Sequence, residues 1–204
     1  MSQPHPVRLP KLCLASQSPR RRQLLENLGL PFSVILPSGD EKTPTVAGLE
    51  AGTRENALMK ARAVAAGLKG EFVTIGADTL VAIDGVVLGK PRDHAEAKEM
   101  LRQLSGREHT VVTGLALVDS KGKSRPSHDT SRVKFRNLSD AEIDEYVATR
   151  EPHDKAGSYA VQGLGALFIE RIDGSYTNVM GLPIEKLLTE LAALTGIPAS
   201  EWFR

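Results

Sequence analysis

Residues 72–91 read FVTIGADTLVAIDGVVLGKP. Phe72–Ala77 is the short apolar run of a buried strand, and Leu80–Leu88 holds two more apolar runs joined by Asp84-Gly85, a strong hairpin turn signal. The pattern predicts a strand and then a hairpin, with Asp78-Thr79 breaking the apolar character between them. A carboxylate at the end of a buried strand is costly unless it is paired, protonated or bound to a cation. Asp78 is therefore the first candidate for chemistry, with a structural salt bridge or a turn as the alternative. Asp84 is explained by its turn and takes no functional role.

Outward from this stretch, strand-like and helix-like segments alternate along all 204 residues, the pattern of an α/β or α+β domain. Leu12–Ala15 and Phe32–Leu36 read as strands, 37–44 as a loop, and Glu55–Leu68 as a helix. Asp93 with Glu96, and Ser139 with Glu142, are capping signatures for helices reaching Leu104 and about Arg150. His109–Val118 and Arg132–Phe135 read as strands around a polar excursion at Asp119–Asp129, an exposed loop or hairpin. Ala166–Ile172 reads as a strand and Leu182–Leu194 as a closing amphipathic helix.

Composition narrows the function. With 41% hydrophobic and 25% charged residues the chain is an ordinary globular protein able to bury a core without staples. A net charge of +1 creates no global field for nucleic acid or anionic lipid, so neither is expected as a partner and any anion site must be built locally. No apolar run is long enough to span a bilayer, and Pro4, Pro6 and Pro10 oppose an amphipathic transit helix, so a cytoplasmic location is expected. The lone Cys13 sits in an apolar run and reads as core filler.

LCLASQSPRRRQ, residues 12–23, places Arg20, Arg21 and Arg22 at a helix start marked by Ser18 as cap and Pro19 at the first position, with Gly29 to end it. A helix start is already electropositive, so arginines there are locally unfavourable, whereas a bound phosphate would use both the free N–H groups and the guanidinium forks. Three solvated arginines are the alternative. Gly85–Pro91 is not a phosphate loop, because only three residues separate Gly85 from Gly89 and Pro91 stands where a hydroxyl would be needed. Lys90 can still offer a point charge to phosphate. Residues 153–183 combine several glycines with Lys155, Gln162 and Asn178, a composition suited to a shaped binding wall.

Taken together, LASQSPRRRQLL, SGDEKTP, ALMKARAVA, GADTLVAIDGVVLGKP, LSGREHTVVTG, DKAGSYAVQG and GSYTNVMGLP, in that order from about Leu12 to Leu194, resemble the Maf family of nucleoside triphosphate pyrophosphatases. The resemblance implies an α/β fold similar to inosine triphosphate pyrophosphatases: elongated, a mixed sheet flanked by helices, with a deep central cleft. One domain would span residues 1–204, with two lobes possible around the cleft and residues 1–10 as an extension. It also implies a homodimer, a divalent metal (Mg²⁺ or Mn²⁺), and cleavage between the α and β phosphates to a nucleoside monophosphate and pyrophosphate.

Carried over by the same resemblance, Asp78 matches the proton acceptor and Glu41 the acidic residue that joins it at the metal. Ser16, Arg21, Lys60, Lys90 and Lys155 match polar and cationic positions around the phosphates. Arg20, Thr79 and Gln162 resemble the determinants of the dTTP/UTP branch. The alternatives are a pyrophosphatase for 7-methyl-GTP or another modified purine, and a nucleotide-binding regulator of cell division or septum formation. Ala160 departs from the glycine usual at its place, and 46–54 matches poorly.

Overall fold

The computed structural model describes residues 9–38 and 44–203. Its longest apolar stretch forms one strand rather than two pieces. In chain order the elements are β1 (Lys11–Ala15), α1 (Pro19–Asn27), β2 (Phe32–Val34), α2 (Leu49–Ala65), β3 (Phe72–Ile83), β4 (Val86–Leu88), α3 (His94–Leu104), β5 (Glu108–Asp119), β6 (Ser124–Phe135), α4 (Asp140–Ala148), β7 (Ile169–Asp173), α5 (Tyr176–Met180) and α6 (Ile184–Thr195).

Asp78-Thr79 does not interrupt β3, because Asp78 pairs with Gly114 and Thr79 with Thr113 across the β5 ladder. Side chains alternate between faces, so a polar residue that finds a partner on its own face leaves the backbone pairing intact. Of the two readings of Asp119–Asp129, loop or hairpin, the structure has the hairpin, and most of the excursion is strand. A tight turn closes with Asp119 N–H donating to Lys123 O at 3.0 Å, and β6 then pairs with β5 from Ser124 onward. The half-exposed polar residues of Ser124–Thr130 gave no apolar alternation to read. α2 begins at Leu49, earlier than the expected Glu55, although Gly52 and Thr53 are weak helix formers. Gly52 belongs in the helix for a packing reason: a Cβ there would lie 2.3 Å from Pro44 Cβ. Helix starts were legible, with Ser18, Asp93 and Ser139 all capping as expected, the last through a full capping box.

The strands make one mixed sheet in the order β2-β1-β3-β5-β6-β7, with β4 also paired to β3. β1 lies parallel to both β2 and β3, and the remaining pairings are antiparallel. One face carries α2, whose Ala57 and Ala61 pack on Ala116 and Val118. The other face carries two apolar clusters. Leu14, Ile75, Leu115 and Leu117 meet Leu25, Leu187 and Leu191 of α1 and α6 in one. Val81, Val111 and Phe135 meet Leu101, Leu104 and Ile143 of α3 and α4 in the other. Between them on β3 and β5 lie Thr79 and Thr113.

The α2 face is held close by two strand glycines. A Cβ on Gly76 would stand 2.1 Å from Ala57 O, and one on Gly114 would stand 2.1 Å from Thr53 O. Both neighbours are helix backbone and cannot rotate away. Gly114→Ala is expected to destabilise the fold by about 1–3 kcal/mol through overpacking, although alanine is ordinarily tolerated better than glycine in a strand. A fall in the urea midpoint at unchanged slope checks it.

His109 is buried against Phe135 and Tyr159, with Nε2 2.8 Å from the Tyr159 hydroxyl. Burial pushes its pKa down from 6.5 to about 4. The unfolded chain therefore binds a proton that the folded chain refuses between those values. This contribution to stability is complete above pH 6.5 and is lost as pH falls toward 4, amounting to about 3 kcal/mol. Urea midpoints at pH 7 and pH 4.5 measure it, and His109→Gln should flatten that limb.

Candidate active site

β3 has different neighbours along one edge. β1 pairs with it as far as Ala15↔Gly76, and β4 takes up the same strand only at Val81↔Leu88. Residues 77–80 therefore have no strand partner on that edge among the described residues. A cleft of ≈ 490 Å³ opens there. The chain leaves β1 at Ala15 and turns through Ser16–Ser18 into the N-terminus of α1, which brings Ser16, Arg20 and Arg21 to the cleft. Crevices beyond the carboxyl ends of sheet strands are where open α/β sheets bind ligands.

Asp78 is buried at this gap. Its side chain points to the α2 face, where Asn56 Nδ2 donates to Oδ2 and Lys60 Nζ donates to Oδ1, each at 2.8 Å. Lys60 Nζ also reaches Ala77 O at 3.3 Å. Asn56 and Lys60 are four apart on α2 and so share a helix face. The buried Lys60–Asp78 pair and the Asn56 amide repay part of the cost of removing both charges from water. A carboxylate has about four acceptor positions, so two donors leave capacity for a water or a hard cation on the cleft side.

Thr79 points to the opposite face. Thr113 Oγ1 donates to Asn178 O at 2.9 Å, and the two threonine hydroxyls are 3.0 Å apart. Because the single Thr113 proton is committed to Asn178, the Thr79 proton goes to Thr113. Arg21 Nη2 donates to Thr79 at 3.0 Å, so Thr79 faces the cleft as an acceptor. Asn178 extends the row to Ser131 and to Val111 O. This polar seam runs between the two apolar clusters.

The arginine run divides as a helix requires. At roughly 100° per residue, Arg20 and Arg21 turn to the cleft while Arg22 turns outward to an exposed pair with Glu26. Arg21 also donates to Gly181 O at 2.7 Å and to Ser16 Oγ at 3.1 Å, joining α1 to the turn after α5. Burial lowers the Arg20 pKa, and nearby Asp154, Tyr146 and Glu151 act against that shift. The wall facing α1 brings Lys90, Asp154, Lys155 and Tyr159 to the cleft. Lys155 Nζ donates to Asp154 Oδ1 at 2.5 Å and to Glu151 O at 2.6 Å.

Ser16, Arg20, Arg21, Lys60, Asp78, Thr79, Lys90 and Lys155 thus line one cleft. Gln162 is exposed and is not among the lining residues, although its neighbours Ala160 and Val161 are. Glu41 lies outside the described residues. Asn56, Thr113, Tyr146, Glu151 and the two strand glycines were missed. A glycine inside an apolar strand signals close backbone approach, which was a readable cue for Gly76 and Gly114. Asn56 and Thr113 carried no local signal.

The family model for Maf-like proteins matches residues 11–194. A protein of Moorella thermoacetica named dTTP/UTP pyrophosphatase is 50% identical over 192 residues, covering 92% of this chain and 96% of the relative. One of Bacillus cytotoxicus with the same name is 48% identical over 181 residues, covering 89% and 94%. The solved structure of a HAM1 protein from Coxiella burnetii superposes with a TM-score of 0.52 at 18% identity, covering 93% of this chain and all of that one, a likeness of fold. On the extent of the family match and the identity of these relatives, the chain belongs to the Maf family.

Proposed function

We propose that this protein is a nucleoside triphosphate pyrophosphatase that hydrolyses dTTP and UTP to the nucleoside monophosphate and pyrophosphate. The observation that carries the reading is Asp78, a buried carboxylate oriented by Asn56 and Lys60 at the gap in the sheet, inside a cleft lined by cationic side chains. The names of the relatives support the reaction and the base.

In this reading a water beside Asp78 attacks the α-phosphorus. The bond from that phosphorus to the α–β bridging oxygen breaks, pyrophosphate leaves with the bond electrons, and the proton of the water passes to Asp78. Arg20, Lys90 and Lys155 offset the triphosphate charge and the charge growing on the leaving group. Ser16 and Arg21 hold the floor of the cleft in place.

A divalent cation fits the donor set. Mg²⁺-type sites take one or two carboxylates and complete their shell with waters and substrate phosphates, and Asp78 offers one such carboxylate at the cleft. Glu41 is the proposed second. When bound, Mg²⁺ or Mn²⁺ would supply further charge neutralisation on the phosphate oxygens.

For the base, Thr79 supplies an acceptor and Arg20 donors at the cleft, and Gln162, next in sequence to the lining residues Ala160 and Val161, carries an amide with groups of both kinds. The pairing edge of uracil and thymine carries one N–H donor between two carbonyl acceptors, which suits this set. A homodimer in the cytoplasm belongs to the same reading, supported by the family resemblance; among the described residues no helix is long and apolar enough to cross a membrane.

Initial rates over a nucleotide panel with Mg²⁺ or Mn²⁺, with product identification, test the proposal. UTP and dTTP should turn over fastest and yield pyrophosphate rather than orthophosphate; rapid 7-methyl-GTP cleavage beside inert dTTP would reject the pyrimidine assignment. Asp78→Asn should lower kcat by about 10²–10⁴ while the protein stays folded by circular dichroism, since the amide cannot take the proton. Wild-type turnover in that variant would remove Asp78 from its role.

A further inference from the structure

The cleft wall that faces α1 is a loop whose two ends are joined by one side chain. Glu151 opens the segment, and its Oε1 accepts from the Tyr146 hydroxyl at 3.0 Å and from Gly165 N at 3.1 Å. Its Oε2 accepts from Leu164 N at 3.2 Å. Tyr146 in turn accepts from Ala160 N at 3.2 Å through the same hydroxyl. The backbone on the far side is shaped to this carboxylate. A Cβ on Gly163, where φ is +80°, would stand 2.6 Å from Glu151 Oε2. One on Gly165 would stand 2.7 Å from the Tyr146 hydroxyl and 2.5 Å from Ala160 O.

Residues 151–165 therefore form a compact loop with closed ends, of the kind that runs to roughly 6–16 residues and is frequently functional. Within it Asp154, Lys155, Tyr159, Ala160 and Val161 line the cleft, and Gln162 sits on the turn that the carboxylate grips. The middle of the loop is tied to the end of β4 by Gly157 N–H donating to Gly89 O at 3.0 Å, next to Lys90. Glu151 does not line the cleft. Each of its carboxylate oxygens already receives donors from the loop or from Tyr146.

We propose that Glu151 is a positioning residue: its carboxylate latches the 151–165 loop and so sets the cleft wall that receives the nucleotide. The latch acts on binding and leaves the Asp78 chemistry in place. This inference rests on the pyrophosphatase reading for its kinetic consequence, but its structural half stands without it.

Glu151→Gln is the test, because the amide has nearly the same shape but turns one acceptor oxygen into an NH₂ that faces donors. Amide hydrogen exchange at Ala160, Leu164 and Gly165 should accelerate at least about tenfold, while protection along β3 is unchanged. In the same variant KM for UTP should rise about tenfold with kcat falling less than about threefold. Tyr146→Phe, which keeps the carboxylate but removes the Ala160 anchor, should show a smaller change of the same kind, and it decides the matter if Glu151→Gln does not fold. Unchanged exchange at the loop overturns the proposal. So does uniform acceleration across the sheet, which would make Glu151 a general stability residue, and so does a loss in kcat at constant KM. If the wild type leaves UTP intact the pyrophosphatase reading fails, and the exchange measurement still decides the latch.

Discussion

The close seating of α2 on the sheet is the constraint from which the site follows. Gly76 and Gly114 lie on neighbouring strands and face the same way, and the helix backbone occupies the space that their side chains would need. At that distance Asn56 and Lys60 reach Asp78 with 2.8 Å hydrogen bonds. A larger separation would leave a buried carboxylate without compensation, which costs far more than the missing methyl groups contribute. The helix, the two glycines and the ion pair thus form one arrangement. Its product is a charged oxygen held still in a cleft.

The opposite face shows why the cleft lies where it does. Thr79, Thr113 and Asn178 make a polar row between two apolar clusters. Side-chain hydroxyls committed to each other and to a backbone carbonyl cannot join either core, so packing on this face divides along the row. The sheet edge is divided at the same level, between the end of β1 and the end of β4. A continuous β3–β5 ladder holds both halves together, and Arg21 ties the row to α1 and Gly181. Buried polar networks of this sort specify one geometry because their hydroxyls and N–H donors are committed to one another, and here only Asn178 Oδ1 lacks a partner among the described residues of the row.

Much of this was legible locally. Ser18, Asp93 and Ser139 announced their helices through capping chemistry that needs only a few residues. Asp78 stood out because a carboxylate inside an apolar run demands an explanation. What stayed open in the sequence has physical causes as well. β6 has many half-exposed polar residues in its first half, so strand pairing rather than side-chain pattern defines it. Arg22 was grouped with its neighbours until helical rotation turned it to solvent.

By itself the sequence determined the alternation of elements, the helix starts, and the identity of the charged groups available for an anion site, because those depend on interactions within a few residues. Only the tertiary structure decided which of them meet. Asn56 and Lys60 reach Asp78 because of the packing of a helix on two strands, and Thr79 becomes an acceptor because Thr113 and Asn178 have already fixed its proton. Hydrogen-bond direction and burial depend on partners brought together from distant parts of the chain, and no local pattern encodes them.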